Sequence, residues 1–145
     1  MNDFIFVIHT GATLFLVGLI WTIQIVHYPL FGHVGTESYA AYQTEHMSRI
    51  TYLVAPVMLA ELASGIYLAL FSIAEINPNY FRFGLAFVLL NWISTLLIQS
   101  PIHGRLAKNY DDKLIKKLVT TNWLRTIFWT MRGALILWII WLKIK

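Results

Sequence analysis

Cysteine is absent from the 145-residue chain, which excludes disulfides, thiolate metal ligands, iron–sulfur clusters and covalently attached haem. Any metal would need His, carboxylate or carbonyl ligands. The His-x-x-x-His and Glu-x-x-His pairs that place two ligands on one helix face are missing too. Charge is scarce: 12% of residues are charged and 58% hydrophobic, with mean hydropathy +0.64. A soluble domain needs more polar residues to cover its surface. The opening Met-Asn-Asp-Phe lacks the positive n-region of a cleavable signal, and no small-x-small site closes the apolar run that follows, so that run is expected to be a retained span.

What is present is apolar runs of spanning length, about 20 residues each. We expect an all-α protein with a single membrane-embedded domain over residues 1–145. Its four transmembrane helices are Phe4 to Tyr28 closed by Pro29, Met47 to Ile73 kinked at Pro56, Tyr80 to Ser100 stopped or bent at Pro101, and Val119 to Lys143. The connections are GHVGTESYAAYQTE, AEINPN and HGRLAKNYDDKLIKK, with no internal repeat. The short middle loop suggests an up-down-up-down antiparallel bundle. Six Trp and seven Tyr suit two membrane interfaces, and Tyr28, Tyr39 and Tyr42 are assigned to that aromatic belt.

The first and third loops with their flanks hold Arg49, Arg105, Lys108, Lys113, Lys116, Lys117 and Arg125, whereas the opposite face holds Arg82, Lys143 and Lys145. The positive-inside rule therefore expects both termini outside the cytoplasm and loops 1 and 3 within it. The isoelectric point near 9.5 then reflects topology, and no nucleic-acid partner is expected. The bilayer and a small apolar ligand are the expected partners, and a homo-oligomer is compatible with the sequence.

An arginine inside hydrocarbon costs at least ~2.5–3.5 kcal/mol, yet the last span carries Arg125 and Arg132. At 100° per residue, Asn122, Arg125, Trp129 and Arg132 share one narrow sector. On the first span His9, Thr13, Gln24 and His27 share a sector. On the second, His46, Ile50, Leu53, Val57 and Glu61 share a face with Arg49 at its margin. On the third, Asn91, Thr95, Gln99 and His103 step by four. Depth gathers Gln24, His27, His46, Arg49, Gln99, His103, Asn122 and Arg125 near the cytoplasmic level. Glu61 and Arg132 fall roughly 20 Å deeper and are expected to form a buried ion pair. His9 is expected to be solvated at the outer surface.

His27, His46 and His103, from three helices, are candidate catalytic bases or metal ligands, since neutral imidazole serves either purpose near pH 7. Their bland alternative is hydrogen bonding to water and loop carbonyls. Fe, Cu or haem would suit such nitrogen ligation, and the absence of any cofactor is left open. Asn122 and Arg125 are candidates to hold a carbonyl or developing oxyanion, the alternative for Arg125 being snorkelling toward headgroups. Gln24, Arg49, Gln99 and Trp129 are candidate substrate contacts. The other Trp residues of the last span read as interface anchors.

The pattern NWLRTIFW, followed by an apolar run to the end, resembles the C-terminal signature of the anthrone oxygenase-like family of small four-helix membrane proteins. The matching positions are Asn122, Trp123, Arg125 and Thr126; HYPLF is only a loose counterpart, and no histidine is carried across. The resemblance implies oxidation of a planar, electron-rich aromatic by dioxygen, with or without a metal. The expected function is thus a membrane oxidoreductase acting on a small aromatic or quinol-like substrate. The alternative is a non-catalytic haem-, metal- or lipid-binding module, or an assembly or transport subunit.

Overall fold

Four helices, α1 (Asn2–His33), α2 (Tyr39–Leu70), α3 (Pro78–Leu106) and α4 (Asp112–Ile144), are each long and apolar enough to cross a membrane, compatible with a multi-pass membrane protein. The computed structural model describes residues 2–74 and 76–145; Met1 and Glu75, the latter inside the AEINPN connection, lie outside the described residues. No strand occurs among the described residues. Even the shortest helix, 29 residues, is about 44 Å long at 1.5 Å per residue and overruns a hydrocarbon core of about 30 Å.

The side-chain distribution is inverted relative to a soluble protein. Phe4, Val7, Tyr52, Leu70, Phe83 and Leu97 are exposed, whereas His9, Glu61, Asn91, Asn122, Arg125 and Arg132 are buried. An apolar exterior around a polar interior is what a lipid solvent selects. The helices form a closed ring in which α1 packs on α2 and α4, and α3 packs on the same two. At one end, Asn2 of α1 donates to the Phe71 carbonyl after α2 (3.0 Å) and Asp3 pairs with Lys143 of α4. At the other, His27 of α1 meets His46 of α2. Apolar clusters around Phe6, Leu68 and Phe81 and around Leu16, Phe31, Leu106 and Leu118 fill the ring at these two ends.

The helices run further than the expected spans, and the prolines do not end them. Helix α2 starts at Tyr39, inside the expected first loop, and passes through Pro56 unbroken. Pro29 and Pro101 are also accommodated, each two residues after the end of a π-helical turn, Ile23–His27 in α1 and Thr95–Gln99 in α3. The Tyr28 and Ser100 amides reach back five residues, to the Ile23 and Thr95 carbonyls. Such a widened turn shifts the carbonyl that a proline ring would strike. Side chains cap two of the three breaks, the start of α2 at Tyr39 having no side-chain cap. Asn77 accepts from the Asn79 amide, with Pro78 in the first turn of α3. Asp111 accepts from the Lys113 and Leu114 amides to start α4. The third connection therefore shrinks to residues 107–111.

Candidate functional site

Helix α4 presents Asn122, Arg125, Trp129 and Arg132 to the interior, all buried, and two polar clusters assemble around them. In the deeper cluster the Glu61 carboxylate accepts from Thr13 Oγ1 (2.8 Å) and Trp129 Nε1 (3.1 Å) and lies 3.8 Å from Arg132 Nε. Arg132 also contacts His9, whose Nδ1 is 2.7 Å from Ser64 Oγ. His9 is therefore not solvated at the outer surface. It is 1% exposed, because Gly65 and Gly84 leave space for its ring and for the Arg132 guanidinium. A Cβ at Gly65 would lie 3.3 Å from His9 Cε1, and one at Gly84 would collide with the guanidinium.

The second cluster lies at the end of the bundle where α1 meets the start of α2. Gln24 Oε1 accepts from Asn122 Nδ2 (2.8 Å), Gln24 Nε2 donates to the Val119 carbonyl (3.1 Å), and Asn122 Oδ1 accepts from Arg125 (3.2 Å). Thr126 donates to the Asn122 carbonyl (3.2 Å). Gln24 and Asn122 thus hold the arginine rather than line open space. The Arg125 guanidinium lies 5.0 Å from the Trp129 ring centre, a cation–π contact. No carboxylate pairs with Arg125 among the described residues, and its Nε, like that of Arg132, has no hydrogen-bond partner.

Arg125 faces a cavity of about 190 Å³ walled also by Tyr28, Met58, Trp92, Gln99 and His103. Residues of both π turns contribute to it, Ile23 from α1 and Thr95 and Gln99 from α3. Ser94 Oγ donates to Gln99 Oε1 (3.0 Å), which leaves Gln99 Nε2 without a partner; Trp92 Nε1 and Thr95 Oγ1 are likewise unpartnered. The wall is therefore rich in buried donors that lack an acceptor, against apolar surroundings. Each such group costs about 1–3 kcal/mol when left unsatisfied. A ligand that brings oxygen acceptors recovers that cost.

The three histidines gather here, but not as a metal centre. Ring centres are 4.7 Å apart for His27 and His46 and 5.6 Å for His46 and His103. His27 Nε2 and His46 Nδ1 hydrogen-bond each other at 3.0 Å. Both His103 nitrogens are engaged, Nε2 by the Tyr28 hydroxyl (2.9 Å) and Nδ1 by the Gln43 amide (2.6 Å). No group of three or more His, Asp or Glu that would hold a metal ion occurs among the described residues. The expectation of a three-histidine Fe, Cu or haem site is thus unsupported, and no chemistry is routed through one.

Two other sequence assignments change. Tyr28 and Tyr39 are buried rather than interfacial, Tyr28 against His103 and Tyr39 edge-on to Tyr110 at 5.1 Å; the π turn and the early start of α2 bring them inside. Tyr42 is half-buried, edge-on to Phe31 at 5.8 Å. Arg49 points away from the cavity and pairs with Glu45 (2.6 Å), its side chain 79% exposed. It lines an outer cleft of about 460 Å³ with His27 and His46. Tyr28 and Gln43, absent from the sequence candidates, are the buried partners of His103. A signal for Gln43 existed in its position three residues before His46; none pointed to Tyr28. Comparison with protein-family models, curated proteins and solved structures finds no match.

Proposed function

We propose that this chain is an oxygenase-like membrane oxidoreductase whose inner cavity holds a small, flat, apolar substrate by an acidic hydroxyl or carbonyl oxygen. The observation that carries this reading is the buried Arg125 cation without a carboxylate, beside the unpartnered Gln99 amide and a largely apolar cavity. An oxyanion there gains a charge-assisted hydrogen bond in a low-dielectric site, where such bonds are strong. A quinol bound in this way gives two electrons and two protons to dioxygen, leaving quinone and hydrogen peroxide. Tyr28 and His103 stand at the cavity wall as the groups that receive a substrate proton. The Asn122, Trp123, Arg125 and Thr126 motif that resembles the anthrone oxygenase-like family agrees with oxidation of a planar, electron-rich aromatic by dioxygen; an activated ring CH2 in place of the quinol would take one oxygen atom as its carbonyl, the other leaving as water. In this reading the helices run up-down-up-down in antiparallel order, with both termini outside and loops 1 and 3 in the cytoplasm, and the substrate enters from lipid.

The test is ligand quenching of tryptophan fluorescence together with oxygen uptake, on detergent-purified protein offered a series of hydroxynaphthalenes and hydroquinones. Arg125→Gln is expected to weaken binding about tenfold to a hundredfold, the effect of losing a charged hydrogen bond. Unchanged affinity in that variant overturns the site. Binding without oxygen uptake selects the alternative, a non-catalytic binding module.

A further inference from the structure

The interior cavity and the outer cleft share one wall, Ile50, and the imidazoles are divided between them. His103 lines the cavity, whereas His46 and His27 line the cleft. A ligand bound as its oxyanion inside must give up a proton, and the acceptors at the cavity wall are the hydrogen-bonded Tyr28 hydroxyl and His103. We propose that Tyr28, His103, His46 and His27 form a proton path from the cavity to the cleft. This inference rests on the oxyanion reading of the site above.

The geometry orders the steps. Tyr28 hydroxyl and His103 Nε2 are 2.9 Å apart. The Gln43 Oε1 has no partner while its Nε2 faces His103 Nδ1; a half-turn of that amide lets Oε1 accept from a His103 Nδ1–H and leaves His103 Nε2 as the acceptor for the Tyr28 hydroxyl. The ligand O–H bond then breaks toward the Tyr28 oxygen as Tyr28 passes its own proton to His103 Nε2. The oxyanion stays beside Arg125. His46 bonds His27 through Nδ1, so its buried, unpartnered Nε2 faces the opposite way, off the cleft contact. A turn of the His103 ring, or one bridging water, hands the proton to that nitrogen. His46 releases its Nδ1 proton to His27 Nε2, and His27 releases one from Nδ1 to water in the cleft. Arg125 stands at the inner end of the path, and Glu45 and Arg49, paired to each other, line the cleft at its outer end.

The probe is 4-nitrophenol, whose phenolate is coloured, mixed by stopped flow with the detergent-purified protein at about pH 6, below the pKa of a phenol, so that the probe arrives protonated. Wild type is expected to form bound phenolate and release a proton to an indicator dye at matching rates. His46→Leu is expected to form the same amount at equilibrium but about tenfold more slowly or worse, within the range ascribed to positioned proton-transfer groups. Added free imidazole is expected to restore the rate by entering the cleft, a rescue that a merely structural role would not show. Because His46 packs against the Phe31 and His27 rings, His27→Gln at the rim serves as second variant, with a smaller slowing and the same rescue. If wild type binds no phenolate, the oxyanion site itself fails and the path with it. If wild type binds phenolate and both variants form it at the wild-type rate, the path alone fails.

Discussion

Arg125 and Arg132 stand on one face of α4, two turns and about 10 Å apart, yet their surroundings differ in kind. Arg132 meets a carboxylate, an imidazole and two glycines that make room for it. Residues from all four helices close that cluster, so the charge acts as a fastener between them. Arg125 meets an amide oxygen and an aromatic face, with no carboxylate paired to it among the described residues. Trp129 separates the two: its indole N–H serves Glu61 and its ring face serves Arg125. A closed ionic cluster stabilises a bundle, whereas an open one costs stability in the free protein and gains it back when a ligand supplies the missing charge.

The largest expected effect breaks the closed cluster. Glu61→Leu leaves Arg132 buried without its counter-ion and removes the acceptor of Thr13 and Trp129. Such a loss costs about 3–5 kcal/mol, read as a lowered thermal midpoint in detergent. Arg125→Leu removes a cation that has no carboxylate to strand, so the midpoint is expected to hold or rise. Equal losses in the two variants would erase the distinction between fastener and site. Next in size, Gly84→Ala drives a methyl group into the Arg132 guanidinium and is expected to cost about 1–3 kcal/mol, as overpacking does. Gly104→Ala, with nothing within 4 Å of the added carbon, is the control. In a helix that change is neutral or gains about 0.5–1 kcal/mol.

The four helices and their apolar faces were legible because spanning length and hydropathy are local properties. So was the inward sector of α4, since Asn122, Arg125, Trp129 and Arg132 keep helical spacing without a break. The first and third helices were legible only up to their prolines. Tyr28 reads as an aromatic-belt residue by its type and its place at the end of a span, and the π turn before it, which adds a residue to the turn and resets the angular phase, is not visible in the sequence. His9 was misassigned for another reason. Depth counted from the chain start says nothing about two glycines on distant helices that open a space for it. The histidines' convergence was legible as depth, but the direction of their nitrogens depends on rotamers and on Gln43 and Tyr28.

The smallest expected effect comes from a third arginine, and it sharpens the same comparison. Arg49 is a cation paired to Glu45 four residues earlier on α2, but both side chains are largely exposed, 79% and 62%. Solvent screens such a pair to about 0.3–0.5 kcal/mol, so Arg49→Ala is expected to leave the thermal midpoint nearly unmoved. Its guanidinium lines the outer cleft rather than the cavity, so phenolate affinity is expected to stay at the wild-type value, while Arg125→Gln lowers it. The comparison is one titration of each variant with 4-nitrophenol. Should Arg49→Ala weaken binding as deeply as Arg125→Gln, the anion rests in the cleft beside His27 and His46. The open cluster would then be the cleft, and Arg125 would be a second fastener, held by Asn122 and Trp129.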